Sequence, residues 1–376
     1  MGHQAPALDF TEIPIINLAL ASSSTSPADK ESCLAQLRHA LTNVGFLYVV
    51  NHGVPETAIS NVIDLLPRLF AMPDKAKNAV ALGNSPHFLG FSGDGAEMTA
   101  GKADRREQFE FATELEEIWE SGAAGGGLGM PLYERLRGPN QWPPGYPETR
   151  PVIERYIHEL AHLGERFLRL VAEALFLPPE TFFSFLSDQH RLKLVHYPAT
   201  PETDNDNERQ GVGPHKDSSG WWTFLLQASP PHVRGLQALN KQGAWVDVPN
   251  IPGSFVVNIG QAFEVVTNGV CKATTHRVVM TGPEERFSVP FFQGVRRDLT
   301  RGEAVGSLKG HFESWSTGSD GSHAHQPQQE RDIDSPFLKG KYETWGESQL
   351  RTKIRSHRDV GRKFYGQVFE EYVNDD

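Results

Sequence analysis

The chain has 376 residues, 38% hydrophobic and 22% charged, a balance that fits a folded protein with a sizeable core and excludes a disordered one. Its formal net charge is -11, and its basic clusters, Arg105-Arg106 and Arg296-Arg297, are short, have acids close by and read as solvated surface, so nucleic acid is not an expected partner. Cys33 and Cys271 support neither a disulfide framework nor a zinc-thiolate site; with no leader pattern and no bilayer-length apolar run, a cytoplasmic protein without a membrane partner is expected.

Residues 13–17 (IPIIN) read as a short strand, and Leu34, Leu37 and Leu41 recur at helical spacing within 30–43. Gly45 closes that helix. A β-branched and aromatic run follows over 46–50, and Asn51-His52-Gly53 is a turn signal before a second helix over 56–70. Apolar periodicity fades between 83 and 101. Residues 121–130 (SGAAGGGLGM) are glycine-rich but follow no strand, so they read as a surface loop and not as a dinucleotide fingerprint. A long helix is predicted over 150–175, with Ile153, Tyr156, Leu160, Leu163, Phe167 and Leu170 forming one buried stripe.

Beyond Arg191 the pattern changes to short strands over 193–197, 222–227, 236–239, 245–248, 255–259, 275–280 and 287–292, separated by turn residues. Strands so close together predict a mainly β fold with flanking α-helices, an antiparallel sandwich of the jelly-roll kind. The polar segments 201–210 and 307–334 are expected to be mobile, and His311, His323 and His325 in the second read as solvated. One helix over 348–372 ends the chain.

His215-Lys216-Asp217 sets an imidazole and a carboxylate two residues apart, a spacing that on extended backbone puts both on one side. A His-x-Asp triplet alone is weak, and His357-Arg358-Asp359 repeats it within the predicted last helix, where the two side chains diverge; that copy reads as a surface helix. The first triplet has better company. His276 follows 61 residues later (276 minus 215) in a strand, and two histidines with one carboxylate make the facial metal site of non-heme iron(II) oxygenases. Ten residues on (286 minus 276), Arg286 shares a strand face with Ser288, a guanidinium fork and a hydroxyl suited to one carboxylate. Tyr197, at the end of an earlier strand, either reaches the same anion or is a core tyrosine. Oxidation of unactivated carbon needs a dry, mostly apolar pocket, for which Trp222, Phe291 and Phe292 are candidate walls and the 307–334 segment a candidate lid.

These residues sit in a sequence that resembles the iron(II) and 2-oxoglutarate-dependent dioxygenases of the isopenicillin N synthase-like group. The likeness runs through IPIINL, GFLYVVNHGV and GPNQWP in the N-terminal half and HKD, GLQALNKQGAWVDVPNIPGSFVVNIG, TNGVCKATTHRV and RFSVPFF in the C-terminal half. It implies a double-stranded β-helix (jelly-roll) core, iron on His215, Asp217 and His276, and 2-oxoglutarate bound through Arg286 and Ser288 beside Tyr197. It also implies O2 as oxidant, succinate and CO2 as co-products, and hydroxylation of a small molecule of secondary metabolism. Desaturation and ring closure are variants. One oxygenase domain is expected over 1–376, with a leader region (1–190), a catalytic core (191–300) and a loop with a C-terminal helix (301–376), as a monomer or weak oligomer.

The chain departs from the common pattern in a one-residue-longer SSGWWTFLLQ segment, whose Trp221 and Trp222 either reshape the pocket or are ordinary core, and in Gln261 where aspartate is usual. Residues 95–111 are similar to a stretch in ethylene-forming members, too short to carry that activity over. Two enzymatic alternatives stay open: an oxidase like isopenicillin N synthase that uses no 2-oxoglutarate, and an ascorbate-dependent oxidase. A third is a non-catalytic jelly-roll binding protein, or one holding structural zinc.

Overall fold

Period-two alternation in the C-terminal strands decides how the chain layers. The computed structural model describes residues 9–374 apart from 23–24, 100, 120–128, 200–208, 219, 281, 316–332, 334 and 340–341. Its strands are β1 (Ile15–Asn17), β2 (Phe46–Val50), β3 (Gly90–Ser92), β4 (Met98–Thr99), β5 (Lys102–Ala103), β6 (Glu107–Ala112) and β7 (Arg191–Tyr197). The chain continues with β8 (Arg209–His215), β9 (Trp222–Gln227), β10 (Leu236–Leu239), β11 (Trp245–Asp247), β12 (Ser254–Ile259), β13 (His276–Met280) and β14 (Arg286–Gln293). An eight-stranded sheet ordered β1-β2-β12-β9-β14-β7-β6-β3 lies over a four-stranded sheet ordered β11-β10-β13-β8. From β7 to β14 the chain passes back and forth between the sheets, pausing only for the β10–β11 hairpin. That path is the double-stranded β-helix, and the mainly β class expected from the sequence is the class found.

Each central strand of the large sheet has two apolar or mixed faces. Leu192 and Leu194 of β7, Trp222, Phe224 and Leu226 of β9, Phe255 and Val257 of β12, and Phe287, Val289 and Phe291 of β14 belong to one core cluster. They pack against α1 (Pro27–His39), α2 (Glu56–Phe70) and α4 (Thr149–Ala174), the last through Ile153, Tyr156, Leu160, Leu163 and Phe167. Burying a side chain of this size stabilises by about 1.5–3 kcal/mol, so the helical layer fixes which face of each strand turns outward. The intervening residues, among them Val195, Tyr197, Val256, Phe46 and Tyr48, meet Val212, Leu236, Ala238 and Val278 of the small sheet. Gly45 adopts φ 73° at the turn into β2, where a Cβ would run into the Lys272 carbonyl and the Thr274 hydroxyl.

Six short helices punctuate the rest: α3 (Asp74–Ala79), α5 (Gln261–Val266), α6 (Arg301–Gly306), α7 (Lys309–Ser314), α8 (Pro336–Lys339) and α10 (Arg358–Phe364). With α9 (Trp345–Ser356) and α11 (Gly366–Asn374), α10 replaces the single terminal helix expected from the sequence. The backbone turns out of helix at His357 (φ -130°, ψ 73°) and at Tyr365 (φ -130°, ψ 30°). These breaks let Leu350, Ile354, Val360, Tyr365, Phe369 and Tyr372 all enter one further cluster with Phe88, Tyr133 and Leu136, which a straight helix has no face wide enough to do.

Other expectations need correction. Arg106 and Arg297 are not solvated: their side chains are 13% and 10% exposed and pair with Glu97 and Asp104, and with Glu134 and Asp188, respectively. Only Arg105 of its pair reaches solvent, beside Asp94. The segment 201–210 ends in strand, since Arg209 and Gln210 open β8; its earlier residues lie outside the described residues. Within 307–334, α7 is ordered and His311 donates to the Leu175 carbonyl (2.9 Å), while His323, His325 and most of the candidate lid lie outside the described residues, as does nearly all of the glycine-rich loop. No helix among the described residues is long and apolar enough to cross a membrane.

Candidate active site

The two sheets bring three potential ligands together at one end of the barrel. His215 is the last residue of β8, His276 the first of β13, and the two are register partners with ring centroids 4.3 Å apart. Asp217 follows two residues past β8, with Oδ1 3.6 Å from Nε2 of each histidine. The imidazole Nδ1 atoms lie 2.8 Å and 3.1 Å from the Gly213 and Thr274 carbonyls, so they are N–H donors and the Nε2 lone pairs face inward. Asp217 Oδ2 accepts from the Thr223 hydroxyl (2.5 Å) and the Asn258 amide (2.6 Å), which leaves Oδ1 for the shared centre. The Gln261 backbone N–H holds the Asp217 carbonyl at 2.8 Å.

The electrostatics agree with that division of labour. Burial, with His215 alongside, pushes the His276 imidazole down to about 4, so it is neutral and able to ligate at pH 7. Burial alone would raise Asp217, but His276, His215 and the Thr223 hydroxyl hold it well below the usual carboxylate range. Two imidazole nitrogens and one carboxylate oxygen, all within 4.8 Å of one another, fit a divalent iron and leave three coordination positions open on one side. Thr223 and Asn258 escaped the sequence reading, although Asn258 announces itself as the one amide inside the apolar strand SFVVNI.

One strand face carries the second group of candidates. Arg286, Ser288, Pro290 and Phe292 alternate along β14 and line a single cavity of about 370 Å³ with the three metal-site residues and Tyr197. Arg286 is 1% exposed and pairs in register with Tyr197, whose ring centroid lies 5.0 Å from the guanidinium carbon. Its Nη2 donates to Gln227 Oε1 (3.2 Å), while buried Nη1 has no partner among the described residues. Burial presses the Arg286 pKa down, yet a guanidinium stays charged in proteins, so this cation is stored without a counter-ion. An incoming carboxylate supplies one.

The same parity overturns two of the three proposed walls. Trp222 and Phe291 share the outward face and are fully buried in the helical layer, Trp222 edge-on to Phe167 at 5.0 Å; neither lines the cavity. Trp221 stacks on Phe185 and is core as well. Phe292 does line the cavity, opposite Thr223 of β9.

The cavity is apolar over most of its lining, as expected, but its outer half is strongly polar. That half is lined by Glu97, Met98 and Thr99 of the β4 region, Arg106, Arg191 and Lys193, and by Gln349, Thr352, Lys353 and Ser356. The last four fall at i, i+3, i+4 and i+7 of α9, one stripe of the helix. His357, read from the sequence as surface, is buried at the turn after α9 with Nε2 2.9 Å from Glu97. The absence of helix at that residue, not its triplet, places it there. Glu97 and Glu110 are both held well below their ordinary value: burial opposes this, and Lys193 contributes most to overcoming it.

The fold and the triad thus define a jelly-roll metal oxygenase, and comparison with known proteins gives the family. Residues 13–145 match a model described as the non-haem dioxygenase in morphine synthesis N-terminal region, and residues 189–295 match the 2OG-Fe(II) oxygenase superfamily. The chain is 40% identical over 366 residues to the 2-oxoglutarate-dependent dioxygenase frbJ of Dothideomycetidae sp. (strain 11243), covering 95% of this chain and 93% of that one. It is 30% identical over 297 residues to the homoarginine-6-hydroxylase 2-ODD-C23 of Glycine max, covering 76% and 86%. A crystal structure of a full-length Neurospora crassa protein in complex with alpha-KG shares the fold, with a TM-score of 0.67, 21% identity and coverage of 91% and 96%. The chain belongs to the 2OG-Fe(II) oxygenase superfamily. It is a 2-oxoglutarate-dependent dioxygenase that requires iron(II), 2-oxoglutarate and O2 and acts on small molecules.

Proposed function

We propose that His215, Asp217 and His276 hold the iron, that Arg286, Ser288 and Tyr197 bind the distal carboxylate of 2-oxoglutarate, and that the enzyme hydroxylates a small polar molecule seated in the outer half of the cavity. Bound iron(II), with 2-oxoglutarate and O2, supplies the oxidising power that removes hydrogen from an unactivated carbon. The protein's own part is positional. Thr223 and Asn258 aim Asp217 Oδ1, and the Gly213 and Thr274 carbonyls fix the imidazole tautomers. Phe292 and Leu225 add apolar wall to the same cavity.

The observation that carries this reading is the buried Arg286 guanidinium with an unpaired Nη1 in the same cavity as the triad. A buried charge without a partner costs several kcal/mol, which binding of a dicarboxylate offsets. Residues of the leader region, core and C-terminal part all line that cavity, which supports one oxygenase domain over the whole chain. At 370 Å³ it lies near the small end of the roughly 300–1,000 Å³ typical of ligand sites, which supports a small substrate. The net charge of -11 and two buried free cysteines support a cytoplasmic enzyme that engages neither nucleic acid nor membranes. A monomer or weak oligomer is the state proposed, to be read by light scattering.

The test is anaerobic addition of iron(II) and then 2-oxoglutarate to the metal-free protein, watching for the weak visible charge-transfer band of the chelate. The band should vanish in His276→Ala and weaken in Arg286→Ala. Iron binding without a band in the unaltered protein would sink the assignment of Arg286.

A further inference from the structure

The outer half of the cavity contains more positive than negative charge, and its carboxylates are already saturated. Arg106, Arg191, Lys193 and Lys353 stand against Glu97, Glu110 and Asp104. Glu97 Oε1 receives Lys193 (3.3 Å), Gln108 (2.9 Å) and His357 (2.9 Å), and its Oε2 receives Arg106. Glu110 Oε1 receives Lys193 (3.1 Å), and its Oε2 receives Lys353 (2.7 Å). Asp104 is taken by Thr99, Gln210 and the Gly213 backbone N–H. Glu97, Glu110 and His357 lie within 4.8 Å of one another, as metal ligands do, but two ammonium groups already occupy the carboxylates and would repel a cation. Among the described residues a cationic ligand finds no free carboxylate here.

Of the two ammonium groups Lys353 has the fewer acceptors, since Lys193 reaches both Glu97 and Glu110. An ammonium has three N–H donors, and among the described residues that of Lys353 reaches a single acceptor, Glu110 Oε2. Its side chain is 14% exposed, faces the cavity from α9 and has the Thr352 and Ser356 side chains beside it. Burial, opposed by Glu110 and aided by the neighbouring Arg191 and Lys193 cations, pushes the amine down to about 8. Lys193, which shares Glu110 with Lys353, stands four residues along β7 from Tyr197, the register partner of Arg286, roughly 14 Å at about 3.4 Å per residue.

We propose that the substrate bears a carboxylate, which docks on the free N–H groups of Lys353 with Lys193 as the neighbouring cation, at the far end of the cavity from the co-substrate. This rests on the assignment of 2-oxoglutarate to Arg286. Small carboxylic acids, free amino acids included, are the class it selects, and their esters and amides are excluded.

The test uses the iron(II)-loaded full chain under anaerobic conditions. Calorimetric titration first measures 2-oxoglutarate loading; failure at that stage strikes the Arg286 assignment. Fluorine NMR relaxation is then recorded for trifluoroacetate and for neutral trifluoroethanol in the presence of saturating 2-oxoglutarate. The expected result is saturable relaxation of trifluoroacetate alone, about tenfold weaker binding in Lys353→Gln and recovery in Lys353→Arg. Equal behaviour of the two probes in the unaltered protein would overturn the proposal without any variant. So would loss of trifluoroacetate binding as 2-oxoglutarate is added, or unchanged affinity in Lys353→Gln.

Discussion

The inner and outer halves of the cavity are built by different means. In the inner half every functional group projects from, or directly follows, a strand of the jelly roll, in strict alternation: Arg286, Ser288 and Phe292 on β14, Thr223 and Gln227 on β9, Asn258 on β12. The ladder that spaces them is the ladder that holds the core, so their geometry comes with the fold. The outer half is assembled from segments far apart in the chain, the β4 region, β6, the start of β7 and α9, joined by ion pairs such as Lys353 to Glu110. A change there can alter which molecule is held without touching the strands that position iron and 2-oxoglutarate. The difference matches a division between shared chemistry and individual specificity.

Substitutions that disable one half and spare the other sharpen this contrast. The largest effect is expected from His276→Ala, which removes a ligand outright. Iron affinity should fall by more than the roughly 10–100-fold typical of changes to groups that merely orient ligands, with thermal stability of the metal-free protein little changed. Calorimetric iron titration and a melting curve check both parts.

Glu110→Gln should do the reverse. Lys193 and Lys353 lose the carboxylate they share, so the fold should lose about 3–5 kcal/mol while iron and 2-oxoglutarate still bind. The pH dependence has a definite sign. Glu110 titrates below its ordinary 4.5 in the folded chain, so its contribution is complete above that pH and drains away as pH falls through the lower folded value. The variant should therefore show a shallower acid-side decline in melting temperature; an identical decline would mean that Glu110 is not held in this way. In Arg286→Gln, 2-oxoglutarate binding should weaken by about 2–5 kcal/mol with iron binding retained, and unchanged affinity would place the co-substrate elsewhere.

The same contrast explains what was legible in the sequence. His215, Asp217, His276, Arg286 and Ser288 stand out because strand geometry ties their spacing to a common direction, and the structure lines one cavity with all five. Trp222 was misassigned through residue type: its parity with Phe224 and Leu226 already placed it on the helical side, and Thr223 on the cavity side. Glu97, Arg106, Lys193 and Lys353 had no such rule to reveal them. They meet only through tertiary packing, and a charged residue read singly looks like surface. His357 became legible only once the last helix was known to break beside it, a break set by the buried Tyr365 and Phe369 and not by any local proline.

The smallest effect tests how finely the inner half is tuned. Asp217 can ligate through Oδ1 because Oδ2 is held from two strands, by Thr223 on β9 and Asn258 on β12, which pair in register. Asn258→Ala removes the β12 hold and leaves the hydroxyl, so the carboxylate gains freedom to rotate. Iron affinity should drop by about 10–100-fold, less than for loss of a ligand, and Thr223→Val should act in the same direction. In the double variant the two effects should combine to more than either alone, since each removes a separate donor to one oxygen. If Asn258→Ala binds iron as tightly as the unaltered protein, the ladder does not orient Asp217, and the precision attributed to the inner half resides in the ligands alone.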